Sequence, residues 1–158
     1  MKKIEDLVAI YDQGHNHTLN IILHIIGILC IYFGLIGMLW LVPDALIKGW
    51  MGDREFANWA TVFAMLLLVY YGSESFSLTF AMGALLLGCL LLTQKLQAIQ
   101  PAFFMEINVA LFSGGILLQA LGHMIEGNRS AFKRDISFVF LMPAWMFSLA
   151  YSRFGIPL

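Results

Sequence analysis

The stretch "YDQGHNHTLNIILH", residues 11 to 24, sets three of the chain's four histidines and two asparagines at the mouth of a long apolar run. Neutral imidazole is a ligand for iron, zinc and copper, and several imidazoles with a carboxylate and open positions suit an Fe(II) that must bind oxygen. On a helix beginning near Thr18, Asn20 and His24 are spaced i, i+4, and His17 at the entrance falls on the same stripe. His15 stands nine residues before His24. That spacing puts the two on opposite sides of a continuous helix, so they serve one centre only if the chain turns before the helix starts. Asn16 or Thr18 would supply that start as an N-cap. The fourth histidine lies in "QALGHMIEGNR", where Gln119 and His123 are i, i+4 and Glu126 follows at i, i+3, all on one face. Gly122 beside them lets another backbone or a ligand approach closely. Asn20, Gln119 and Glu126 would orient the rings as hydrogen-bond partners. The same polar residues also have a plainer use, because polar groups inside membrane helices join helices by hydrogen bonds and those at the ends sit among headgroups.

Composition decides what elements carry these residues. The chain of 158 residues is 60% hydrophobic and 12% charged, with a mean hydropathy of +0.81, whereas soluble domains carry about 25% charged residues. An all-α, polytopic membrane helix bundle is expected. A formal net charge of −1 offers no general basic surface, which argues against nucleic-acid binding. Cys30 and Cys89 both lie in apolar runs without a paired framework or CxxC, and read as small hydrophobes. The N-terminus has no apolar region ending in a small-residue cleavage site, so the first apolar segment is expected to stay in the mature protein.

Spans are expected over about 18–42, 57–72, 75–93, 102–124 and 136–152, given that about 20 apolar residues cross a bilayer. That makes five transmembrane or partly re-entrant helices in one domain over residues 1–158. The second and third form a tight hairpin about "GSES" and the last is somewhat short. Counting both hairpin arms or neither leaves parity unchanged, so the start of the first helix and the end of the 102–124 helix face one compartment. All four histidines then lie at one membrane face. Lys2 and Lys3 precede the first helix and Arg129, Lys133 and Arg134 follow the fourth, which places that face in the cytoplasm by the positive-inside tendency, although Lys48 and Arg54 sit in the opposite loop. Phe, Met and Trp residues, including those of "FVFLMPAWMF", read as lipid-facing and helix-packing surface.

At these residues the chain resembles a family of small membrane proteins, with bacterial members and a fungal endoplasmic-reticulum member that is an Fe(II)-dependent 2-hydroxy fatty acid dioxygenase. The family's first pattern, a Tyr, a His four residues on, an Asn, a second His and a Gly, is met by Tyr11, His15, Asn20, His24 and Gly27. Its second pattern is met by Gln119, Gly122, His123, Glu126 and Arg129. Three departures are visible. Glu126 stands one residue nearer His123 than in the fungal pattern, Ser130 stands where Pro is usual, and His17 stands where Asn is frequent.

The resemblance implies α-oxidation, in which a long-chain 2-hydroxy fatty acid reacts with O2 and becomes an acid one carbon shorter. It implies Fe(II) held by His15, His24 and His123, with His17 a further candidate, Glu126 a ligand or proton acceptor, and Arg129 or Tyr11 steadying the substrate carboxylate. The implied membrane is the bacterial inner membrane or the endoplasmic reticulum, and a homo-oligomer is compatible with the sequence. Rival readings are a haem-binding electron carrier with His24 and His123 as axial ligands, and a non-catalytic metal-binding protein or transporter. Four histidines are too few for a di-iron desaturase, and HExxH, GxSxG, P-loop and Rossmann glycine patterns are absent.

Overall fold

The computed structural model describes residues 4–13, 15–127 and 139–156. Among the described residues the regular elements are helices: α1 (Ile4–Asp12), α2 (Thr18–Trp40), α3 (Ala45–Met51), α4 (Trp59–Glu74), α5 (Phe76–Ile99), α6 (Phe104–Glu126) and α7 (Met142–Phe154), with a 3-10 turn at Pro101–Phe103 leading into α6. The protein is an all-α helical bundle.

Length separates the helices into two groups. The segments Thr18–Trp40, Phe76–Ile99 and Pro101–Glu126 are long and apolar enough to cross a membrane; at 1.5 Å per residue each exceeds the roughly 30 Å of bilayer hydrocarbon. Helix α4 has 16 residues and α7 has 13, or about 24 and 20 Å, which falls short of that thickness. The expected last span over 136–152 is therefore a shorter helix beginning at Met142, with Pro143 in its first turn, where a missing N–H costs nothing; residues 136–138 lie outside the described residues. Helix α5 in turn runs to Ile99, past the expected end at 93, because "TQKLQA" contains good helix formers and no breaker before Gln100 and Pro101. Exposed Leu66, Val69, Phe80, Leu87 and Leu117 cover the outside of these helices, a surface suited to lipid rather than water.

Helices α2 and α6 form the central pair and share the most extensive contact in the bundle. Gly37 faces Asn108 near one end and Asn20 faces Gly122 near the other, so the two run antiparallel. Their backbones nearly touch: a Cβ on Gly115 would lie 2.7 Å from the Gly27 carbonyl oxygen and 2.9 Å from Ile31 N. Only glycine permits that approach.

The hairpin of α4 and α5 turns at a single residue. Ser75 is extended, its N–H donates to the Tyr71 carbonyl at 2.9 Å, and its Oγ accepts from Leu78 N–H at 3.3 Å. It ends one helix and caps the next, so "GSES" contributes one non-helical residue. Helix α7 is tied to this framework by three tyrosines. Tyr32 donates to the Val139 carbonyl at 3.2 Å, Tyr71 donates to the Phe140 carbonyl, and Tyr151 donates to the Ser77 carbonyl at 2.7 Å.

Candidate metal centre

Each candidate imidazole reaches the centre by a different local device. Helix α1 stops at Asp12, the His15 N–H closes a turn on the Asp12 carbonyl at 2.9 Å, and α2 begins at Thr18. The chain thus makes the turn that His15 needs to join His24. His17, rather than Asn16 or Thr18, is the N-cap of α2: its backbone is extended and its Nδ1 accepts from Leu19 N–H at 3.2 Å. A ring nitrogen with a lone pair can do the work usually done by a Ser or Asn oxygen.

His15, His24 and His123 are 3%, 0% and 1% exposed, and one donor nitrogen from each lies within 4.8 Å of the others. His15 Nδ1 donates to the Tyr11 carbonyl at 2.9 Å, and His24 Nδ1 donates to the Asn20 carbonyl at 3.0 Å. Both partners are carbonyls four residues earlier and can only accept, so in the neutral ring each Nδ1 carries the proton and each Nε2 keeps its lone pair. The Nε2 atoms of His24 and His123 are 3.2 Å apart. Two nitrogens each about 2.0–2.1 Å from one ion, at roughly right angles, are about 3 Å apart. Three buried imidazoles with donor nitrogens this close together fit a metal ion. The same separation weighs against haem: axial ligands on opposite faces of one iron would be about 4 Å apart with a porphyrin between them.

Side chains around the rings fix them in place. Gln119 Nε2 donates to the His24 carbonyl at 3.2 Å, across the seam where a Cβ on Gly27 would lie 2.9 Å from that same nitrogen. A Cβ on Gly122 would collide with Asn20 Oδ1 and lie 2.8 Å from His24 Nδ1, which is why α6 can lay His123 beside His24. Glu126 straps the two motifs together: Oε1 accepts from Asn16 N–H at 2.6 Å, and Oε2 accepts from Asn20 Nδ2. Among the described residues the converging donor set contains the three buried histidines. Glu126, half-buried with both oxygens on asparagine donors, stands outside it, and so does the exposed His17.

Two aromatic rings pack on His15, one of them, Tyr11, expected at the site and the other, Trp145, not. Trp145, expected among the lipid-facing and helix-packing residues, is fully buried, with its ring centroid 4.6 Å from that of His15 and 6.2 Å from that of His24. Its Nε1 donates to Asp12 Oδ1 at 2.7 Å. Tyr11 stacks on the His15 ring, with centroids 4.6 Å apart at an interplanar angle of 13°. Arg129, Ser130, Lys133 and Arg134 lie outside the described residues.

Fold and site together define a helical membrane-type protein with a buried three-imidazole centre able to hold a metal ion. Over residues 1–154 the chain matches the family described as "2-hydroxy-palmitic acid dioxygenase Mpo1-like", and it belongs to that Mpo1-like family. No curated protein and no solved structure matches the chain.

Proposed function

We propose that the protein is an Fe(II)-dependent dioxygenase that converts long-chain 2-hydroxy fatty acids and O2 into fatty acids one carbon shorter. The observation that carries this reading is the convergence of His15, His24 and His123 in a member of a dioxygenase family. The overall change balances without an external reductant: the 2-hydroxy acid and one O2 give the shortened acid, CO2 and water, with the C1–C2 bond broken. Iron bound by the three imidazoles would supply the one-electron chemistry that triplet O2 requires.

The chain's own groups hold and orient. The Tyr11 and Asn20 carbonyls keep the Nδ1 protons of His15 and His24, so both rings offer Nε2. Gln119 and Glu126 hold the two helices in register, and Glu126, at the rim, serves as a carboxylate able to accept a substrate proton. Arg129, three residues further along the sequence, or Tyr11 would steady the substrate carboxylate. The acyl tail lies in a groove of about 770 Å³ between α2, α5 and α7, lined by Ile21, Ile25, Leu29, Ala84 and Met146 among others. Positive charge in the sequence at Lys2, Lys3, Arg129, Lys133 and Arg134, against Lys48 and Arg54 in the opposite loop, supports a cytoplasmic position for the centre.

The test is anaerobic purification in detergent, Fe(II) loading, and addition of O2 with a long-chain 2-hydroxy fatty acid, with products identified by mass spectrometry. An iron-dependent acid one carbon shorter is expected, and H24A and H123A should lose both bound iron and turnover. Metal binding without a shortened product across several chain lengths would instead identify a non-catalytic metal protein.

A further inference from the structure

His15 differs from the other two imidazoles in what holds it. His24 and His123 sit on long helices pressed together along their whole length, but His15 lies between α1 and α2, outside any helix. Its backbone and Nδ1 are held by the last turn of α1, through the Asp12 and Tyr11 carbonyls. Helix α1 in turn packs on α7, and the polar link between them is the indole of Trp145 donating to Asp12 Oδ1. The Trp145 ring closes on the His15 ring at 4.6 Å and on the Tyr11 ring at 5.3 Å, which limits rotation of the imidazole about its Cβ–Cγ bond.

We infer that Trp145 and Asp12 are positioning residues that deliver His15 to the metal centre, making α1 and α7 one docking unit separate from the α2–α6 seam. This rests on the reading of the three imidazoles as a metal site. Groups that orient a metal ligand commonly change affinity about 10–100-fold when removed. Asp12 is exposed, so D12A removes the acceptor without opening the core, and D12N keeps an oxygen that can accept. W145F keeps an aromatic ring at this position but removes the donor together with part of the buried indole volume, so D12A and D12N are the variants that isolate the hydrogen bond.

The experiment uses Co(II) as a spectroscopic probe on the full-length chain in detergent, reading affinity and the visible ligand-field spectrum. D12A and W145F should each weaken Co(II) binding about tenfold and shift the spectrum toward that of H15A, while D12N stays near the parent protein. In an H15A background D12A should cost nothing more, because its effect passes through His15; a role limited to general stability would add in full. The inference is overturned if H15A weakens binding while D12A and W145F leave affinity and spectrum unchanged, or if the D12A loss persists undiminished in H15A. Unchanged Co(II) binding in H15A, H24A and H123A alike would overturn the metal reading itself and this inference with it.

Discussion

The α2–α6 seam and the α4–α5 hairpin are both antiparallel pairs of apolar helices, yet they are held together in different ways. In the seam, backbone meets backbone: a Cβ on Gly34 would lie 2.6 Å from the Asn108 carbonyl oxygen, and one on Gly115 would lie 2.7 Å from that of Gly27. In the hairpin, the corresponding positions have ordinary room, with 3.6 Å from a Gly83 Cβ to Leu68 Cδ2 and 3.9 Å from a Gly72 Cβ to Thr79 Oγ1. Close backbones bring short polar side chains across the interface, which is why Gln119 can reach the His24 carbonyl and Asn20 can reach Glu126. Apolar Leu67, Leu78 and Met82 are the kind of residue the hairpin buries.

Substitutions should separate the two pairs. The largest effect is expected from G34A and G115A, whose new methyl groups meet main-chain atoms that cannot swing aside; each should lower stability by about 1–3 kcal/mol or more and abolish metal binding, measured by thermal unfolding in detergent beside metal titration. G122A should act more locally. Its methyl meets Asn20 and His24 side chains, so metal affinity falls about 10–100-fold while the unfolding midpoint moves less. E126A should release the strap to Asn16 and Asn20 and weaken metal binding about tenfold, and E126Q, which keeps an accepting oxygen, should recover part of it. G83A is expected to stay within about 0.5 kcal/mol of the parent or to gain slightly, since alanine favours a helix over glycine; a loss as large as that of G115A would erase the distinction between the pairs.

The smallest effect belongs to Lys48, outside both. Its ammonium pairs with Asp44 and Asp53 at 3.4 Å each, and the hydrogen bond to Asp44, first, with the charge of Asp44 and the contact to Asp53, holds its pKa above the usual lysine range. A raised folded pKa means that this contribution is present at neutral pH and fades only as pH climbs through that raised value. K48M should leave metal binding and the neutral-pH midpoint unchanged, as expected for an exposed pair.

Much of this was readable from residue order because bilayer crossing and helical periodicity are local properties. The apolar runs identified α2, α5 and α6, and the i, i+4 spacing of Asn20 with His24 and of Gln119 with His123 named the faces that meet. Parity along the chain brought those faces together. What escaped was set by tertiary contact. Helix α1 is short and amphipathic, with Ile4, Val8 and Tyr11 buried, and its purpose emerges only when Asp12 meets Trp145, 133 residues away. Hydropathy alone does not tell an indole facing lipid from one packed over an imidazole. The N-cap was missed because histidine is seldom used there, although His17 sits one position before Thr18 in plain view.

The 99 residues between His24 and His123 also have a meaning in time. A ribosome adding about 5–20 residues per second leaves roughly 5–20 seconds between the emergence of α2 and that of its partner helix. During that interval the first helix holds an imidazole and an asparagine with no seam to bury them. A nascent chain that has inserted only its first helices lacks His123, and so lacks the complete three-imidazole cluster. Completion of the three-imidazole cluster is thus a late event of biogenesis, which waits for α6, and the packing of Trp145 on His15 waits for α7.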